Sequence, residues 1–184
     1  MRLENSFEVP APPERAWELL NDVPRVIPCM PGAELTETLD DTHWKATMHV
    51  KLGPVSLQFG TDIERTEADS SIRRAVLAAK ARELKGRGGA QARIASSLEP
   101  AGSGTRIVIV TDLTLQGPVA QYGRGIVADV AKTLVGRFAE CISLQLQQAS
   151  PAAAATPASI KPVGGLSLAL SALWQRLVRP FRKA

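Results

Sequence analysis

Residues 118–147 constrain the chain more than any other stretch. Val119, Ile126, Val127, Val130, Leu134, Phe138, Cys141 and Ile142 recur at steps of three and four, so a helix would gather them on one broad apolar face. Gln121, Gly125, Asp129, Lys132, Gly136, Glu140 and Ser143 fall on the other face. Pro118 suits a first helical turn, where its missing N–H goes unused, and Pro151 with its alanines marks the end. At about 1.5 Å per residue the helix would be about 40 Å long. So long a helix with so wide a stripe needs a whole sheet to lie on.

The preceding residues read as that sheet. Leu3–Val9 alternates as a first strand, and the prolines at 10, 12 and 13 end it. Glu14–Leu20 reads as a short helix with Ala16, Trp17 and Leu20 inward. Asp22 can cap a second helix that runs to Ile27 and stops at Pro28. Alternating strands follow over 33–39, 43–52, 55–64, 72–82, 90–98 and 107–115, separated by turn signals such as Gly53-Pro54 and Asp69-Ser-Ser. Trp44, Ala46, Met48 and Val50 share one face of their strand, as do Val55, Leu57, Phe59, Thr61 and Ile63 of the next. The stretch at 72–82 is weak and could pass for helix, but its place in a meander favours strand. Strand, two short helices, about six antiparallel strands and a long helix make an α+β fold. A curved sheet gripping one helix has a concave face, the usual place for an apolar ligand if side chains leave it unfilled.

The net charge of +4 is unevenly distributed. Residues 1–148 carry 17 Lys and Arg against 18 Asp and Glu, while 149–184 carry five bases and no acid. The basic character therefore belongs to the tail, without the folded basic face that nucleic acid needs. Cys29 and Cys141 lie among apolar neighbours with no zinc or redox spacing, and read as buried free thiols. Without a signal peptide or an apolar run of about 18 residues, the chain is expected on the cytoplasmic side.

No catalytic set emerges. His43 and His49 project to the polar side of their strand, and Gly86-Arg-Gly-Gly precedes a strand, so it reads as a turn or bulge. No metal site is expected. Tyr122 and Arg124 stand in the first turns of the long helix. They are either surface support or the recognition point for the polar head of a lipid-like ligand, since Tyr pairs an apolar body with a polar tip. Trp17, Met48, Phe59, Ile126, Val130 and Leu134 would line the wall behind them, or serve as plain core.

Residues 149–163 read as a flexible Pro/Ala linker. Beyond it, in 164–184, Leu166, Leu170, Leu173, Trp174, Leu177 and Phe181 cluster on one helical face, with Arg176, Arg179, Arg182 and Lys183 mainly opposite. An apolar face with Trp and Leu against a basic face describes a helix lying in a membrane interface. A helix docked on its own domain or on a partner is the alternative, though a docked helix would not need the linker.

The order of elements and their turns resemble the START-like (SRPBCC, helix-grip) superfamily, and within it the family of the carbon monoxide dehydrogenase G subunit. Three stretches carry the resemblance: Pro28-Cys-Met-Pro-Gly-Ala-Glu, Lys85-Gly-Arg-Gly-Gly-Ala-Gln-Ala, and Gly117-Pro-Val-Ala-Gln-Tyr-Gly-Arg-Gly continuing through Asp129 to Phe138-Ala-Glu-Cys. It covers residues 1–148. It implies a non-enzymatic lipid- or quinone-binding domain that recruits a molybdenum carbon monoxide dehydrogenase, or a related xanthine-oxidase-type enzyme, to the inner membrane. The cargo it implies is an isoprenoid quinone, with no covalent cofactor. A pure adaptor with a filled core, or a cyclase/aromatase-type enzyme with ionisable groups in the cavity, are the alternatives.

Overall fold

The computed structural model describes residues 1–52, 55–121 and 123–148. The Gly53-Pro54 turn, Tyr122, the linker and the whole amphipathic tail lie outside the described residues.

Seven antiparallel strands form one sheet: β1 (Arg2–Val9), β2 (Ala33–Thr38), β3 (His43–Leu52), β4 (Val55–Asp69), β5 (Arg74–Glu83), β6 (Gly89–Ala101) and β7 (Gly104–Gln116). Their order is β1-β7-β6-β5-β4-β3-β2, so a meander from β2 to β7 is closed by β1 pairing back onto β7. The weak 74–83 stretch is strand because both neighbours pair with it along its length. Bulges at Leu35/Glu37 and Arg65/Glu67 interrupt the register, as expected where strands bend. At the β5–β6 hairpin, Gly88 has φ +113°, and a Cβ there would stand 2.0 Å from the Gln116 carbonyl oxygen. Only glycine fits.

Between β1 and β2 lie α1 (Pro13–Asn21), α2 (Val23–Val26) and a 3-10 turn over Ile27–Cys29. Asp22 caps α2 by accepting from the Arg25 amide at 3.3 Å. Pro28 sits inside the 3-10 turn rather than stopping a helix before it. In α1 the fully buried residues are Ala16 and Leu19, and Leu20 also points inward, packed against the core and partly buried. The last helix, α3, runs Arg124–Gln148, and Pro118 belongs to a separate 3-10 turn over Gly117–Gln121. The long helix is therefore shorter at its start than its periodicity suggests.

The cysteines correct another expectation. Cys29 and Cys141 form a disulfide across 112 residues, with Cα atoms 5.4 Å apart. They lie on different elements, so the spacing along the sequence carries no trace of the pairing. The bond ties the 3-10 turn to α3. Beside it, Arg15 Nη2 donates to the Leu146 carbonyl at 3.1 Å and Gln145 Nε2 to the Arg25 carbonyl at 3.4 Å. Phe138, Ile142 and Leu146 are the buried residues of α3, all in its C-terminal half. Phe138 meets Phe7 edge-on, with ring centroids 6.1 Å apart.

The core is accordingly divided. One cluster gathers β1, α1, Leu98, Ile107 and the end of α3. A second joins Val23 and Ile27 to Trp44 and Ala46, and a third joins Leu57 and Phe59 to Val119.

Candidate functional site

A cavity of about 460 Å³ is bounded by these clusters. Its floor comes from β2 to β7. Its other walls come from the Leu20–Met30 segment and from Val127, Val130, Ala131, Leu134, Val135 and Phe138 of α3. The division of labour along α3 is physical. Its C-terminal half packs into the core, and its N-terminal half is only partly buried because it faces this space.

Among the described residues lining the cavity, none is ionisable, and the polar ones are Thr47, Thr61, Ser96 and Thr111. Ser96 donates to the Ala75 carbonyl at 3.4 Å, whereas the buried Thr61 hydroxyl has no partner among the described residues. The site can hold an apolar molecule and offer it a few hydroxyls. Among the described lining residues no acid or base is positioned for proton transfer.

Of the wall residues expected from sequence, Met48, Phe59, Val130 and Leu134 line the cavity. Trp17 does not. It packs against the cluster around Val9 and Ile142, since α1 turns Ala16 and Leu19 inward and leaves Trp17 beside them. Ile126 is 49% exposed and Arg124 is exposed, both at the first turn of α3. Neither lines the cavity. Sequence reasoning passed over Ala79, Ala81 and Ala90, which do. The signal was there as alanine at alternate positions in two neighbouring strands.

The polar groups expected outside are there. His43 is half-exposed with its Nδ1 3.0 Å from Asp40, and His49 is exposed. Among the described residues no three His, Cys, Asp or Glu side chains come together as a metal would need, and no helix is long and apolar enough to cross a membrane.

A curved antiparallel sheet around a C-terminal helix, with an apolar space between them, defines a protein of the START-like class. Solved structures agree on the fold. A conserved protein from Geobacillus kaustophilus matches with TM-score 0.71 at 22% identity, over 80% of this chain and 96% of its own. The ZhuI aromatase/cyclase from Streptomyces sp. R1128 matches with TM-score 0.58 at 13% identity, over 80% and 94%. A START superfamily protein from Mycobacterium smegmatis matches with TM-score 0.51 at 16% identity, over 81% and 99%. Among curated proteins none matches in sequence. The family model for the carbon monoxide dehydrogenase G subunit (CoxG) matches residues 6–147, and the chain belongs to that family.

Proposed function

We propose that this protein is a non-enzymatic carrier of a neutral hydrophobic ligand, an isoprenoid quinone, held at the cytoplasmic face of the membrane by its basic tail. There it recruits a molybdenum carbon monoxide dehydrogenase or a related enzyme and passes quinone between enzyme and bilayer. The observation that carries the reading is the cavity, mostly apolar, with a few hydroxyls and no ionisable lining residue among the described residues. Burying an unpaired charge there would be prohibitive, whereas apolar surface gains about 25 cal/mol for each Å² removed from water. Family membership supports the partner. The basic and apolar faces of residues 164–184 support the tether, each base adding about 1 kcal/mol near an anionic leaflet. A short linker would keep the domain at an effective concentration on the order of millimolar beside its membrane.

The cyclase-like fold of one solved structure does not favour an enzyme here, because such chemistry needs positioned acids or bases. The deciding experiment is organic extraction and mass spectrometry of the full-length protein taken from its own membranes. One quinone per chain is expected. A protein that stays empty after incubation with quinone-loaded liposomes reduces the reading to recruitment alone. The tether has its own test. Removing residues 164–184 should abolish flotation with anionic liposomes while leaving the unfolding temperature unchanged, and undiminished flotation would refute it.

A further inference from the structure

Part of the cavity floor is built from the smallest side chains. Ala81 of β5 pairs with Ala90 of β6, and two residues along each strand Ala79 pairs with Ala92. All four line the cavity and are half-buried. Residues two apart share a face. The four methyls therefore form a flat tile of about 6.7 Å by 4.8 Å, set by strand rise and strand spacing. Higher side chains border it, with Ile63 opposite Ala79 and Leu113 opposite Ala92. The footprint is that of a fused pair of six-membered rings. An alkyl chain would need no such breadth.

Thr61 stands at the edge of the tile. It pairs with Ala81 on one side and with Ala46 on the other. Its hydroxyl oxygen is buried with no hydrogen-bond partner among the described residues. Rotation about its Cα–Cβ bond exchanges methyl for hydroxyl on the cavity side and breaks no hydrogen bond. Trp44 Nε1 and Asn21 Oδ1 also lack hydrogen-bond partners among the described residues, but neither residue lines the cavity.

We propose that the alanine tile seats a neutral planar ring and that Thr61 hydrogen-bonds a carbonyl or hydroxyl oxygen on that ring. This rests on the ligand-binding reading above and adds where the ring lies and which side chain selects its oxygen.

The test uses the full-length protein and three probes: 2,3-dimethyl-1,4-naphthoquinone, 2,3-dimethylnaphthalene and 1-dodecanol, with affinities from quenching of tryptophan fluorescence or from calorimetry. Ala81→Leu should weaken both ring probes by about tenfold or more and leave 1-dodecanol little changed. Ala92→Val is the milder variant to use if Ala81→Leu does not fold. Thr61→Val keeps the branched shape. It should weaken the naphthoquinone by about three- to tenfold, leave the naphthalene unchanged, and raise the unfolding temperature of the empty protein by about 2–4 °C. Thr61→Ser should restore the naphthoquinone. Ring binding unchanged in the folded alanine variant, or equal losses for all three probes, overturns the tile. Naphthoquinone binding unchanged in Thr61→Val overturns the hydrogen bond. A wild-type protein that binds none of the probes overturns the cavity reading, and this proposal with it.

Discussion

Glu83 is a buried carboxylate with a structural task. Burial alone would raise its pKa. The amides of Arg87 and Lys85, donating to Oε2 at 3.0 and 2.8 Å, and the Arg87 guanidinium outweigh that and hold it below the ordinary 4.5. Asp40 is likewise held well below its ordinary 3.8, by the hydroxyl and amide of Thr42 and then by His43. A carboxyl whose folded pKa is depressed stabilises the fold above its unfolded pKa, and loses that contribution as pH falls through the folded one. Unfolding temperature should therefore be level above about pH 5 and fall steadily below it. Glu83→Gln should lower it at neutral pH and flatten its acid fall. An acid limb identical to wild type would show that Glu83 carries none of the linkage. Sequence does not announce this residue. In the alternating pattern it is one more charge beside a turn, and its burial depends on how the hairpin folds over it. The free-thiol expectation for the cysteines failed for a related reason. Two small buried residues look alike whether or not they meet.

At the scale of elements, α3 is two helices in function. Phe138→Ala, in the packed half, should cost about 3–5 kcal/mol in denaturant unfolding. Val130→Ala, in the half facing the cavity, should cost under about 1 kcal/mol, since it removes few native contacts. Equal costs would mean that the helix is packed along its whole length. The disulfide anchors the same packed end. Cys29→Ser with Cys141→Ser, or reduction of the native pair, should lower stability by about 2–5 kcal/mol, or about 5–15 °C in unfolding temperature. The double variant should then ignore reductant. Disulfides are rare in the cytosol. Rapid alkylation of freshly lysed cells should show both cysteines protected, and labelling of either would mean that the bond is open in place. The elements themselves were largely legible. Proline and glycine punctuated the strands, and period-2 and period-3.6 patterns separated sheet from helix. What misled was the edge of each pattern. Ile126 continues the apolar stripe on paper, but in the first turn of α3 it is exposed and lines none of the cavity.

For the whole molecule, the core in three clusters is the counterpart of the cavity. A domain of this size would usually have one contiguous core, with smaller clusters beneath its loops. The concave site could be inferred from element order alone, because a helix laid on a curved sheet leaves a space that side chains must fill or leave. Its floor could not. The alanine tile exists because the β5–β6 hairpin places Ala79 and Ala81 opposite Ala92 and Ala90, and register is a property of pairs of strands.

The link between Cys29 and Cys141 also makes most of the chain a covalent ring. Every strand from β2 to β7, and the cavity-facing half of α3, lies inside it. Gln148, the last described residue, comes seven positions after Cys141, and the basic tail follows. A mechanical load on that tail enters the ring at Cys141 and can cross to Cys29 through sulfur. The ring's interior cannot be drawn out while the bond holds. Between the two ends of the chain, only the residues before Cys29 and after Cys141 can be extended. Any pull on the tail would thus reach the side of the domain where α3 is packed and leave the sheet floor of the cavity and its α3 wall slack.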